Sequence, residues 1–193
     1  MSGHIRIEGI VRGTEVNGPG RRNMLHVQGC SLRCPGCFNP HTWDPSKGRT
    51  IPMEELVPEL LLDDPDGVTI SGGEPMEQPQ AVYELLKRIR DIRPDCSTLM
   101  YTGYTRQRLD RSVWWSPLKE VLDVVVAGPY RQDLPVQDGG LVSSSNQELI
   151  LLGRHTIREV LPPYRVEMII QPDGTIIMTG FPTRELIRDM EAT

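Results

Sequence analysis

The chain predicts an α/β fold with a mostly parallel sheet and right-handed crossovers. Three observations carry that expectation. Short β-type runs at 23–28, 66–71, 97–105 and 123–130 alternate with helical or polar stretches, and each run ends on a glycine-bearing turn or loop. The length of 193 residues, 38% of them hydrophobic, is enough for one domain with a real core. A single domain over 1–193 is therefore expected, with its core over about 5–152 and a C-terminal extension over 153–193.

Taken in order, "HIRIEGIVRGTEVNGPGRR" reads as a strand or hairpin, with Gly18, Pro19 and Gly20 marking a loop. In "NMLHVQ" Leu25 and Val27 alternate with polar neighbours, as a strand requires. A helix is expected next, capped by Thr50, with Pro52 and the acids Glu54 and Glu55 in its first turn and Leu56, Leu60 and Leu61 as its apolar stripe. Pro58 should kink or shorten it. The β-branched run "DGVTIS" is a strand that stops at Gly72, Gly73, Glu74 and Pro75.

Over 79–93, Val82, Leu85, Leu86, Ile89 and Ile92 fall on one helical face, and Pro94 ends the helix. "STLMYTGYT" and "DVVVAGPY" supply two more strands. Two apolar runs around Pro172, Asp173 and Gly174 read as a C-terminal hairpin over 164–180 that covers a sheet edge. Ligands of such folds bind where the loops leave the carboxyl ends of the strands. The four glycine-bearing turns should therefore converge on one face.

Net charge is −5, so nothing global argues for binding nucleic acid or an anionic membrane. No run reaches the roughly 20 apolar residues of a membrane span, and the N-terminus lacks the apolar stretch of a signal peptide. A cytoplasmic protein is expected, with neither nucleic acid nor membrane among its partners. In a reducing compartment clustered thiols are more often metal ligands or catalytic groups than disulfides.

Three of the four cysteines, Cys30, Cys34 and Cys37, lie in "VQGCSLRCPGCFNPHTWD" at spacing C-x3-C-x2-C. One short loop thus supplies three thiolates at little closure entropy. Structural zinc wants four protein ligands, whereas a cubane iron–sulfur cluster held by three thiolates keeps one iron open for substrate. Zinc stays possible if His26 or His41 completes a Cys3His site. A redox C-x-x-C lacks the helix start expected after a thioredoxin-type strand.

The cysteine motif, followed by a Gly-Gly-Glu-Pro turn after the next strand, resembles the radical S-adenosylmethionine superfamily. "CSLRCPGCFNPHTWD", "SGGEP", "YTGYT", "DVVVAGPYRQDL" and "SSSNQ", in that order, resemble the glycyl-radical activases that serve anaerobic ribonucleoside-triphosphate reductase. The resemblance spans about 5–152 and implies an open, partial β/α barrel. It also implies a 4Fe–4S cluster on Cys30, Cys34 and Cys37 that reductively cleaves S-adenosylmethionine. The resulting 5′-deoxyadenosyl radical would take a hydrogen atom from a glycine Cα of a partner enzyme. The implied cofactor contacts are Gly36, Cys37 and Phe38 against the adenine and Gly72, Gly73, Glu74 and Pro75 around the methionine, with Tyr104 near the cofactor or partner. A flavodoxin or ferredoxin-type protein is the implied electron donor.

Two other functions remain open on the residues alone: a radical enzyme acting on a small molecule or peptide, and a zinc-stabilised binding module. The remaining candidates have plainer readings. Cys96 is a small buried residue, His26 belongs to the core or backs the cluster, and Trp114 and Trp115 belong to a helix on the sheet. "SSSNQ" caps a helix, and Arg21 and Arg22 are solvated charge or a contact to the cofactor's carboxylate.

Overall fold

The computed structural model describes residues 3–136, 140–153, 166–170 and 173–191. In chain order the elements are β1 (His4–Thr14), β2 (Arg22–Val27), β3 (Arg49–Pro52), α1 (Met53–Leu60), β4 (Gly67–Gly72), α2 (Pro79–Ile92) and β5 (Ser97–Thr102). They continue with α3 (Arg106–Asp110), α4 (Trp115–Val121), β6 (Val124–Ala127), β7 (Glu148–Leu151), β8 (Val166–Ile170), β9 (Ile176–Gly180) and α5 (Arg184–Glu191).

Seven strands form one sheet in the order β3-β1-β2-β4-β5-β6-β7. Its centre, β2-β4-β5-β6, is parallel, and its margins are antiparallel. The partial barrel is thus represented by an open mixed sheet, with β3 and β7 as its ends among the described residues. No helix among those residues is long and apolar enough to cross a membrane.

Period-two alternation assigns each strand residue to a face. Leu25, Val27, Val68, Ile70, Met100 and Val125 point toward the helices, where they meet Leu56, Leu60, Leu85, Leu86, Ile89 and Leu118 in one buried cluster. α2 forms because its apolar residues recur at three and four residue steps, which brings Val82, Leu85, Leu86 and Ile89 into this core. Truncating Leu85 to Ala is expected to cost about 2–5 kcal/mol through the cavity left behind. The buried Arg90–Asp123 ion pair joins α2 to the start of β6, and Asp123 also accepts from the Thr98 N–H at 2.7 Å.

The opposite face is built in tiers. Arg22, Gly67 and Ser97 are register partners, as are Met24, Thr69, Leu99 and Val124. His26 pairs with Ser71 one step higher, and Tyr101 pairs with Val126 at the same height. The hairpin β8-β9 covers this face as a separate two-stranded sheet. It is held by Asn17 Nδ2 donating to Thr179 Oγ1 at 2.6 Å and by the Tyr101 and Phe181 rings, 6.3 Å between centroids.

Several expectations are corrected. Thr50 and Pro52 belong to β3, paired with β1, and the helix begins at Met53 because the extended Pro52 backbone supports a strand end. The helix is short, with Pro58 inside it, and ends at Leu60, after which the backbone leaves helical geometry at Leu61 and takes positive φ at Asp63 and Asp64. "SSSNQ" precedes a strand, because Gln147 Oε1 accepts from the Ser143 N–H at 2.8 Å and turns the chain into β7.

Arg22 is not solvated. Only 1% exposed, it donates to Thr69 Oγ1, Ser97 Oγ and the carbonyls of Pro19, Val68 and Ser97. Burial lowers its pKa to about 10, so it remains charged at neutral pH. The hairpin lies on a sheet face and not at an edge, and Pro172 of its turn is outside the described residues. Cys96 is buried next to β5, and Trp115 packs α4 into the core.

Candidate metal and cofactor site

Because β2, β4, β5 and β6 run parallel, the loops that follow them leave the sheet at the same rim. Main-chain bonds join these loops. Gly73 N–H donates to the Val27 carbonyl and Glu74 N–H to that of Gly29, both at 2.8 Å, while Gly128 N–H reaches the Thr102 carbonyl at 3.0 Å. Gly72 has φ +95°, and a Cβ there would lie 2.6 Å from the His26 main chain. A Cβ on Gly73 would overlap the Gly29 carbonyl oxygen. These two positions require glycine so that the turn can lie against the cysteine loop.

The cysteine loop is closed by main-chain bonds from Gly29 N–H to Thr42 at 2.8 Å and from Cys30 N–H to Trp43 at 3.0 Å. Cys30, Cys34 and Cys37 are free and half-buried. Burial raises the pKa of Cys30 and Cys34 above the ordinary thiol value, so both favour the protonated form until a cation replaces the proton. Asn39 N–H donates to Cys37 Sγ at 3.4 Å, the kind of contact that stabilises a metal-bound thiolate. The loop after β6 backs the motif, with Gln132 against Gly36 and the Tyr130 ring 4.9 Å from Phe38.

This donor set fits an iron–sulfur cluster better than one zinc ion. Three thiolates around a single zinc stand about 4 Å apart, given Zn–S bonds of about 2.3 Å. Among the described residues, the set of donors close enough to share one ion is Glu8, His26 and His41, within 4.8 Å, and the three thiols are not such a set. His26 and His41 therefore group with Glu8 in the structure. A cubane assigns each thiolate to a different iron and accepts the wider spacing.

Glu74 is 1% exposed and ties two turns together. Oε1 accepts from Thr102 Oγ1 at 2.6 Å and from Met76 N–H at 2.8 Å, and Oε2 accepts from Gly103 N–H at 2.7 Å. Burial outweighs these donors and pushes the carboxyl pKa up to about 7. Pro75, also buried, opens a short 3-10 turn. Tyr104 lies beneath the Arg108 guanidinium, 3.4 Å from its ring centroid.

Below the cysteine loop is a cavity of about 320 Å³, to which Cys37 and Phe38 contribute. Gly36, Gly72, Gly73, Glu74, Pro75 and Tyr104 shape the rim and do not line this cavity. Of its other walls, His26 reads in sequence as core, as backing for the cluster or as a fourth zinc ligand, whereas Ser71 and Tyr101 from the sheet and Met178–Pro182 from the C-terminal hairpin are not singled out. Strand alternation places 24, 26, 71 and 101 on one face, but no local signal shows that this face encloses a site. His26 Nδ1 faces Glu8 Oε2 at 3.6 Å, and hydrogen bonding to His26 is the main reason Glu8's pKa lies below the ordinary carboxyl value. Glu8 sits at the register shift between Ile7 and Gly9, a bulge that re-aims its side chain.

Residues 16–150 match the family model for the 4Fe-4S single cluster domain. The chain is 34% identical over 144 residues to the anaerobic ribonucleoside-triphosphate reductase-activating protein of Escherichia coli (strain K12), an alignment covering 68% of this chain and 89% of the relative. It is 36% identical over 126 residues to the Vibrio cholerae protein of the same name, covering 61% and 79% of the two chains. Against the pyruvate formate-lyase-activating enzyme of Clostridium pasteurianum the identity is 42% over 82 residues, or 39% and 34% of the two chains.

Proposed function

The chain belongs to the radical S-adenosylmethionine activase family built on the 4Fe-4S single cluster domain, and from that premise we propose that it installs a glycyl radical on an anaerobic ribonucleoside-triphosphate reductase. The observation that supports this reading best is one rim where the loop carrying three free thiols is joined by main-chain hydrogen bonds to the turn that bears Gly73 and buried Glu74. Cys30, Cys34 and Cys37 would hold the cluster, which would supply the single electron that reductive cleavage of S-adenosylmethionine needs.

The chain's own residues position and protect. Gly72 and Gly73 let main chain approach the methionine half, and Glu74 holds that turn in place with three donors drawn from its own and the next turn. Phe38, braced by Tyr130, offers an apolar surface to the nucleoside. The half-buried thiols would limit water at the cluster they hold. A flavodoxin or ferredoxin-type protein in the cytoplasm supplies the electron.

Anaerobic reconstitution tests this. The loaded protein should be brown, release 5′-deoxyadenosine with dithionite, and generate a glycyl doublet in the reductase by electron paramagnetic resonance. Stoichiometric zinc with neither nucleoside release nor doublet would overturn it.

A further inference from the structure

Apart from the cysteines, one other set of side chains has metal-binding chemistry. Glu8, His26 and His41 each bring a ligand atom to within 4.8 Å of the others, and no second such group occurs among the described residues. They come from three segments that only the fold brings together. Glu8 is the bulged residue of β1, since Ile7 pairs with Val27 and Gly9 with His26, and its carboxylate faces the imidazole. His26, 9% exposed, is the last residue but one of β2. His41 stands in a 3-10 turn, Pro40–Thr42, on the return arm of the cysteine loop. That arm is held against the end of β2, because Gln28 Nε2 donates to the His41 carbonyl at 3.1 Å and Gly29 N–H to that of Thr42 at 2.8 Å.

The spacing suits a shared ion better than a direct contact. His26 Nδ1 and Glu8 Oε2 are 3.6 Å apart. A well-made N–H···O bond is about 2.7–3.2 Å, whereas two ligands of one tetrahedral zinc, with bonds of about 2.0–2.1 Å, stand about 3.4 Å from each other. Glu8 and His41 are exposed, so rotation of their side chains can close the remaining gap. Two imidazoles and a carboxylate suit a transition metal of the zinc type, while calcium and magnesium take oxygen ligands. Besides the histidines, Arg49 of β3 acts on the Glu8 carboxylate, from an exposed position where water screens it. A metal replaces the imidazole proton, so the site does not depend on which nitrogen carries that proton beforehand.

We infer that Glu8, His26 and His41 bind one divalent transition-metal ion of the zinc type, separate from the cluster, and that this ion pins the return arm of the cysteine loop to the bulge of β1. His26 Nδ1, the nitrogen on the Glu8 side, is its ligand. His26 lines the cavity beneath the loop but Glu8 and His41 do not, so the ion sits behind the imidazole and outside that cavity. Three protein ligands leave the fourth tetrahedral position to water. His41 follows Cys37 by four residues, so the ion steadies the arm that carries the third thiol. A plain Glu8–His26 ion pair is the competing account, and it gives His41 no part.

The test is zinc binding, measured anaerobically on cluster-loaded protein so that iron occupies the three thiols. Titration calorimetry should show one zinc per chain. X-ray absorption at the zinc edge should show nitrogen and oxygen neighbours at about 2.0–2.1 Å and no sulfur at about 2.3 Å. Glu8→Gln and His41→Ala, both at exposed positions, should each weaken zinc at least about tenfold, the scale of losing even an outer partner of a metal site, with iron content unchanged. His26→Gln should do the same; should that buried change prevent folding, the two exposed variants carry the test. Saturating zinc should raise the melting temperature of the wild type and raise that of the variants less.

Wild-type protein that takes up no zinc, or a sulfur neighbour in its absorption spectrum, would overturn the inference. Zinc affinity within about twofold of wild type in His41→Ala would do so as well, and would leave the ion pair as the account of Glu8 and His26. None of these outcomes touches the activase reading, which the iron content and nucleoside release of the same protein decide.

Discussion

Thr102 Oγ1 lies 2.6 Å from Glu74 Oε1, and this bond holds the turn after β5 to the turn after β4. Thr102→Val keeps the shape and removes the donor, leaving a buried carboxyl with one partner fewer. The expected cost is about 1–3 kcal/mol, read from urea unfolding. A loss of only a few tenths would mean that the two turns are held together some other way.

The same carboxyl predicts a pH dependence. Glu74 ionises near pH 7 in the fold and near 4.5 in the unfolded chain. Between those values the native state keeps a proton that the unfolded state has released, so stability falls as pH rises through this window and levels off above it. The full effect is on the order of 3 kcal/mol. Glu74→Gln should flatten this fall, measured as the difference between the two proteins' unfolding free energies from pH 4.5 to 8; parallel curves would refute the assignment.

Iron content separates the cysteines. Cys30→Ala, Cys34→Ala or Cys37→Ala should each prevent stable loading of the 4Fe–4S cluster and abolish S-adenosylmethionine cleavage. Cys96→Ala should load normally and lose only stability, because Cys96 is a buried member of the helix-side core. If Cys96→Ala protein fails to take up iron while folded, the ligand set is wrong. Because burial favours the thiol form of Cys30 and Cys34, cluster loading should also release protons and weaken as pH falls.

Two glycines provide a control pair. Gly73→Ala drives a methyl group into the Gly29 carbonyl and should cost about 1–3 kcal/mol and impair S-adenosylmethionine binding, whereas an added Cβ at Gly9 meets nothing within 4 Å. Gly9→Ala should stay within about 0.5 kcal/mol of wild type. Equal melting temperatures for the two variants would show that the loop contact yields more easily than its geometry implies.

The parallel centre of the sheet was legible because each strand declares itself locally, by alternation in 23–27 or by a β-branched run that stops at glycine. Cys30, Cys34 and Cys37 were legible as a ligand set because thiol spacing within one loop is itself a chemical pattern. β3 was not, since a four-residue edge strand pairing with β1 has no periodicity of its own. Neither was the Thr102–Glu74 bond, which joins residues 28 apart and is created only when neighbouring strands align. Arg22 reads as surface charge in sequence, and the five hydrogen bonds it donates, four of them to residues distant in sequence, make it internal. The hairpin's place over the inner face depends on contacts such as Asn17–Thr179, which no local pattern announces.

The cysteine loop closes on itself through main chain, from Gly29 and Cys30 to Thr42 and Trp43, and needs none of the thiols to do so. The base of the loop is therefore set by main chain and not by a metal, so the three sulfurs hang from a frame that folding supplies before any iron arrives.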